Sequence, residues 1–324
     1  MRIVVYGAGA VGGVIGGRLC QHRDAHGDDV TLVVRGAHHD AIRSHGLTLN
    51  DPDGSVTLPV PVVDRISAVP LGPGDTVILS MKTQDSAAAL DALASHAPPG
   101  VAVACAQNGV ENERLAARLF ARVYAICVML PAQLLEWGVV DAAGSPHNAI
   151  LDIGCYPTGL DDAARSLSAA FEASGLASRP DPAIMRSKYT KLLMNLQNPL
   201  DALVADRASW KDIYSRARAE AEACLAAAGI DYASDEEEQA RRRGVMEMRR
   251  VPGRQRGGGS TWQTFVRGGR TTEVDWLNGE IVLLGRLHGV PTPVNAMLQA
   301  VARQAALDGR PARSFTAAEL DALV

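Results

Sequence analysis

The hydrophobic pattern changes character partway along the chain. In the first half it comes as short, β-branched apolar runs broken by polar or glycine-rich segments. These are Arg2–Tyr6, Asp29–Arg35, Asp75–Ser80 and Val101–Ala106, then VYAICVML and NAILDIG between Val123 and about Ile153. Runs of this kind predict buried strands, the last of them extending the same sheet. Val11, Ile15 and Leu19 recur at one helical turn after the first run, and a further helix is predicted from about Asp161 to Ala173. From Asp181 onward the pattern becomes long and helical, with helices expected over 184–206, 208–229, 271–288 and 293–307. This change places a domain boundary near residue 180, giving domains 1–180 and 181–324. The charge-dense stretch Asp235–Arg256, running into Gly257, Gly258 and Gly259, reads as a solvated helix and a mobile loop within the second.

The first strand runs directly into GAGAVG, Gly7 to Gly12, with Ala10 and Val11 opening the helix. Strand, G-x-G-x-x-G turn and helix in that order make a candidate cradle for a dinucleotide pyrophosphate. Gly7 permits the tight turn, Gly9 lets the backbone approach the anion, and Gly12 lets helix and strand pack closely. The first helical N–H groups are then left to bind negative charge. A tight turn that binds nothing is the alternative, but the position between strand and helix favours binding.

Composition narrows the partners. The 324 residues are 47% hydrophobic and 21% charged with a net charge of −4, which gives no electrostatic reason to expect nucleic acid. No apolar run approaches the length of a membrane span, and the chain opens straight into a core strand, so neither a membrane nor a cleaved signal is expected. Cys20, Cys105, Cys127, Cys155 and Cys224 are scattered without a C-x-x-C pair or zinc spacing, and fit reduced thiols in a cytoplasmic protein. Ala- and Leu-rich helix faces near the C-terminus suit either a homodimer interface or the domain's own core.

Candidate chemistry sits at strand ends and on two helices. The second strand ends in Arg35 with no carboxylate before Asp40; a cation there accommodates the extra phosphate of NADP, whereas a carboxylate would favour NAD. Lys82 and Asn108 follow the next two strands, where ligands of open parallel sheets lie, although a loop charge and a plain turn would look the same. In KLLMNLQNP, Lys191, Asn195 and Asn198 fall within roughly 60° on a continuous helix, a narrow polar stripe on an otherwise mostly apolar surface. Such a stripe faces either a cleft or the backbone of adjacent loops. Ser260 and Thr261 follow the glycines, and Glu273 falls in the first turn expected after Thr271. His147 and His288 lie outside these motifs, which argues against a histidine acid.

GAGAVG, the strand-end Lys82, QNG at 107–109, the KLLMN…NP helix and TEVDWLNGE together resemble the ketopantoate reductase family, in order and approximate spacing over nearly the whole chain. The resemblance implies an α/β protein: an N-terminal Rossmann-type doubly wound sheet, a C-terminal all-helical domain, and a site in the cleft between them. It implies NADPH-dependent reduction of a small 2-oxo acid, 2-dehydropantoate to pantoate. It matches Lys191 to the catalytic lysine, Asn195 to a substrate-hydroxyl partner, and Glu273 to the carboxylate that binds substrate and positions the lysine. Arg35, Lys82 and Asn108 match NADP(H) contacts. Three departures stand on the substrate side. Asn198 comes seven residues after the lysine instead of eight, Thr261 (with Ser260 beside it) takes the place of a serine, and Ala208 stands where an Asn is usual. A relative acting on another 2-oxo or hydroxy acid, or a sensor that binds NADP without turnover, would share much of this pattern.

Overall fold

The computed structural model describes residues 2–324. Its first half runs β1 (Arg2–Tyr6), α1 (Ala10–Gln21), α2 (Arg23–His26), β2 (Asp29–Val33), α3 (Gly36–His45), β3 (Leu47–Asp51), β4 (Gly54–Leu58), β5 (Val62–Val63), β6 (Thr76–Leu79), α4 (Ser86–Ala94), β7 (Ala102–Cys105) and α5 (Glu111–Ala117). Then come β8 (Val123–Met129), β9 (Ala132–Glu136), β10 (Val139–Ala142), β11 (Gly144–Pro146), β12 (Ile150–Cys155) and α6 (Asp162–Ala173). The second half is α7 (Ile184–Asn195), α8 (Asn198–Leu203), α9 (Lys211–Ala227), α10 (Asp235–Arg242), β13 (Met246–Met248), α11 (Ser260–Val266), α12 (Asn278–His288), α13 (Pro293–Leu307) and α14 (Ala317–Asp321), with a 3₁₀ turn at Glu273–Trp276.

The main sheet has the order β12-β8-β7-β6-β1-β2-β5, parallel throughout except for β12, which pairs antiparallel with β8. The winding reverses at β1, so its carboxyl end is the switch point at which open α/β sheets bind ligands. Residues of β1 alternate between two cores: Ile3 and Val5 join one, Val4 joins the other with Val33, Val77 and Val103. A second sheet, β4-β3-β10-β9, covers the far side of α1. The helix is narrow on both sides because it is rich in glycine. A Cβ at Gly12 would meet Ser80 and Val5, and one at Gly13 would meet Val140 at 2.8 Å.

The runs VYAICVML and NAILDIG extend the main sheet as expected, as β8 and β12, but those between them do not. β9 and β10 leave it and pair with the β3–β4 hairpin.

The chain separates into two compact units, residues up to Lys188 with Ser234–Gln255, and Tyr189–Ala233 with Arg256–Val324. A single cut near 180 does not describe this division, because the charge-dense segment 234–255 packs with the first unit. There Glu238 is buried, Arg241 forks onto Asp152 (2.6 and 2.7 Å), β13 pairs with β11, and Arg254 reaches Asp141 at 3.1 Å. The expected solvated helix is present as α10, with Asp235, Glu236 and Glu237 exposed, but the segment is also a strap held by specific ion pairs. The following glycines are not a loose loop either. Gly257 and Gly258 lie so close to the Trp262 indole that a Cβ on either would overlap it, and Arg313 donates to the Gly257 carbonyl at 2.6 Å.

The second unit is helical around Leu200, Leu203, Trp210, Ile213, Phe265 and Leu298. The apolar face of α13 belongs to this core, while Leu283 and Leu287 of α12 are exposed. The helix expected over 184–206 is two helices, α7 and α8. Pro199 has no N–H for the Asn195 carbonyl four residues back, so α7 stops at Asn195 and α8 starts afresh. Asn278 secures the junction by donating to the Leu196 carbonyl at 3.3 Å. The helix expected from 271 likewise begins as the 3₁₀ turn carrying Glu273, and α12 follows only at Asn278.

Candidate active site

In the first unit the glycine turn has the geometry of an anion cradle. Gly7 adopts φ +90°, and a Cβ there would come within 2.5 Å of the Met81 backbone nitrogen, so only glycine fits. At Gly9 the nearest atom to a Cβ would be the Gly7 carbonyl oxygen, 3.8 Å away, so the surface over Gly9 is open. Gly9 is the N-cap of α1 without a side-chain cap, and the amides of Ala10, Val11 and Gly12 have no intrahelical acceptor by their position. An open backbone surface beside free helical N–H groups fits a pyrophosphate. Buried His38 braces the turn. Its Nδ1 accepts from the Gly138 amide (2.9 Å), which leaves the proton on Nε2 to donate to the Ala8 carbonyl (3.0 Å). His38 carries no periodic signal in the sequence, because it lies in a largely polar helix.

Arg35 stands at the end of β2, exposed, as the N-cap residue of α3. Burial raises the pKa of the nearby Tyr6 phenol, and the Arg35 charge opposes that rise. Lys82 and Asn108 follow β6 and β7, as the strand pattern suggests, and both are half-buried. Gly109 makes the Asn108 turn with φ +78°.

Behind that turn lies a buried polar network that the sequence did not announce. The Gln107 amide donates to the Met81 carbonyl and the Ser86 hydroxyl, both at 2.8 Å. Ser86 donates to Asn112 Oδ1 at 2.7 Å, and the Asn112 amide donates to Thr83 Oγ1 (3.1 Å) and to the Asn108 carbonyl (3.3 Å). Lys188, three residues before Lys191 on α7, donates to the Gln107 carbonyl at 3.0 Å and to Glu113 Oε1. Glu113 is fully buried; burial raises its pKa and Lys188 opposes the rise. The i, i+3 relation of Lys188 and Lys191 was the available signal, and a stripe starting at Lys191 leaves it out.

In the second unit Lys191 is half-buried on α7, and Asn195, one turn later, is 5% exposed with an amide nitrogen that has no partner among the described residues. A buried donor without an acceptor costs about 1–3 kcal/mol, a deficit that a substrate oxygen would remove. Asn198 does not continue the stripe on one helix; it opens α8. There it stands beside the start of α11: Gly259 donates to Asp201 Oδ2 at 2.7 Å, and a Cβ on Gly259 would lie 3.9 Å from Asn198 Oδ1. Ser260 begins α11 and Thr261 is 4% exposed. Glu273 is 7% exposed in the 3₁₀ turn, which Thr272 caps through the Val274 amide. Through Asn278, which shortly follows that turn, the Glu273 segment is tied to the α7–α8 junction.

A doubly wound sheet with an open glycine turn at its switch point, followed by a helical unit with a lysine one turn from a buried amide donor, defines a dinucleotide-dependent oxidoreductase. The chain belongs to the ketopantoate reductase family: residues 3–157 match the family model described as ketopantoate reductase PanE/ApbA, and residues 183–306 match the model of its C-terminal region. It is 29% identical to a 2-dehydropantoate 2-reductase of Halobacterium salinarum over 95% of this chain and 100% of that protein. It is 28% identical to one from Pyrococcus horikoshii over 94% and 97%. Among solved structures, a PanE/ApbA family ketopantoate reductase from Ralstonia eutropha superposes with a TM-score of 0.77, 26% identity and coverage of 96% and 100%. A D-mandelate dehydrogenase holding NADH and anilino(oxo)acetate superposes with a TM-score of 0.76, 25% identity and coverage of 95% and 99%. Among the described residues no helix is long and apolar enough to cross a membrane.

Proposed function

We propose that this protein reduces 2-dehydropantoate to pantoate with NADPH. The observation that carries the reading is Lys191 one helical turn from the buried, unpartnered amide of Asn195. When bound, the reduced nicotinamide supplies the hydride. Reduction of a ketone leaves charge on its oxygen, and the Lys191 ammonium supplies both positive charge and the proton to that oxygen. Asn195, Asn198, Ser260 and Thr261 bind and orient the substrate, and Glu273 positions it with the lysine. Gly7, Gly9, Ala10, Val11 and Gly12 hold the pyrophosphate, Arg35 the phosphate that distinguishes NADPH, and Lys82 and Asn108 the remaining cofactor. The absence of a carboxylate between the end of β2 and Asp40 supports NADPH over NADH.

The test is the optical rate of NADPH oxidation with a panel of 2-oxo acids, with NADH in parallel. Turnover confined to 2-dehydropantoate and NADPH is expected. The structural likeness to D-mandelate dehydrogenase favours a second reading, a related 2-oxo or 2-hydroxy acid, with Thr261, Ala208 and the interrupted Lys191–Asn198 segment as marks of a different pocket. Turnover with NADH on bulkier 2-oxo acids alone would replace the first reading by the second.

A further inference from the structure

We propose that Lys188 is a positioning residue for the nicotinamide half of the cofactor, acting through the Gln107 carbonyl on the Asn108 turn. The inference rests on the dinucleotide reading above. In a sheet wound this way the pyrophosphate lies at the β1–α1 turn and the adenosine toward the end of β2. The other half therefore extends over the ends of β6 and β7, where Lys82 and Asn108 stand.

The Asn108 turn is clamped on both flanks. Lys188 Nζ holds the Gln107 carbonyl at 3.0 Å, and Asn112 holds the Asn108 carbonyl at 3.3 Å. The Gln107 side chain in turn ties this turn to the Met81 carbonyl, next to Lys82. Lys188 is 3% exposed and Glu113 0%, and Glu113 Oε2 has no partner among the described residues. A buried ion pair with an unsatisfied oxygen is a poor stabiliser: apolar residues of similar volume commonly do as well or better. Its placement explains it better than its energy, because the ammonium fixes a carbonyl in the peptide that joins Gln107 to Asn108. Glu113 Oε1 accepts from the same ammonium and holds it in place.

The test separates positioning from packing. The double variant Lys188→Met/Glu113→Leu removes the pair together, so that no lone buried charge is left. Its dissociation constants for NADPH and for 2′-phospho-ADP-ribose, which lacks the nicotinamide, are measured by calorimetric titration beside its thermal midpoint. The expected result is a folded protein that binds NADPH at least about tenfold more weakly and the fragment within about twofold of wild type. Glu113→Gln, which keeps the lysine donor, is expected to bind NADPH within about threefold of wild type. If the double variant does not fold, the neutral pair Lys188→Met/Glu113→Gln, which also lacks a donor at 188, is measured in the same way. NADPH binding unchanged in the folded double variant, or equal weakening of both ligands, would overturn the proposal. A wild-type protein that binds neither ligand would instead remove the cofactor reading, and this inference with it.

Discussion

The glycine turn and the Lys191 segment are both candidate binding surfaces, but they are built from different material. The turn offers backbone: open space over Gly9, unsatisfied helical amides, and glycines where any Cβ would collide. The Lys191 segment offers side chains, and its arrangement depends on where helices stop. Backbone sites are written in a few adjacent residues, whereas side-chain sites depend on junctions such as Asn195–Asn198 that spacing alone does not reveal. The first should tolerate little change in shape, the second little change in chemistry.

The largest expected effect is on the side-chain surface. Lys191→Ala should lower kcat by about 10²–10⁴-fold while leaving the dissociation constant for NADPH unchanged, as stopped-flow rates and fluorescence titration would show. Equal loss of cofactor binding would erase the contrast between the two surfaces. Next comes shape. Gly7→Ala should cost about 3 kcal/mol in urea denaturation, because a Cβ would meet the Met81 backbone and the φ of +90° would be strained. Gly9→Ala, whose Cβ meets nothing closer than 3.8 Å, should leave stability intact and weaken dinucleotide binding. If the two glycines behave alike, the turn is a packing feature. Smaller again, Arg35→Ala should reduce the preference for NADPH over NADH by about tenfold in measured dissociation constants.

The smallest effect tests a part of the first unit outside both surfaces. Burial would raise the Asp161 carboxyl, but hydrogen bonds from the Ala164 amide (2.8 Å) and the Tyr124 hydroxyl (2.7 Å) outweigh it and hold the pKa below its ordinary 3.8. On the other side of that bond the Tyr124 phenol is pushed up to about 12, mainly by burial. A depressed carboxylate adds stability above its unfolded pKa and loses it as the pH falls through the folded one. Because Asp161 caps α6, Asp161→Ala should cost about 1 kcal/mol near neutrality, with the gap to wild type narrowing as the pH falls below 3.8.

Most of the first unit's framework was legible because its strands are continuous apolar runs and its glycines sit at fixed offsets. The β1–α1 turn and the strands at β2, β6 and β7 follow directly from those patterns, and in the second unit the helix at 293–307 follows from its helical period. The second sheet was not legible, since β9 and β10 look like any other strand and their partners lie far away in sequence. In the strap at 234–255 the solvated helix was legible but its anchoring was not, for a different reason. Its charges have the composition of a solvated segment, and only the tertiary positions of Asp152 and Asp141 draw Arg241 and Arg254 inward. The break before Asn198 had a local cause in Pro199, so the signal was present although the continuous stripe hid it. Lys188 was signalled only by its i, i+3 relation to Lys191, and Glu113 not at all, because a buried pair from two distant helices has no common period.

The interleaving of the two units has a consequence for synthesis. During translation the ribosome produces Tyr189–Ala233, part of the other unit, before the strap that completes the first. Until Gln255 has emerged, Asp152 and Asp141 lack their arginines and β11 has no neighbouring strand. The nascent nucleotide-binding half therefore waits, with an open edge and two uncompensated carboxylates, on residues encoded well downstream. An N-terminal fragment cut near residue 180 would keep those gaps permanently.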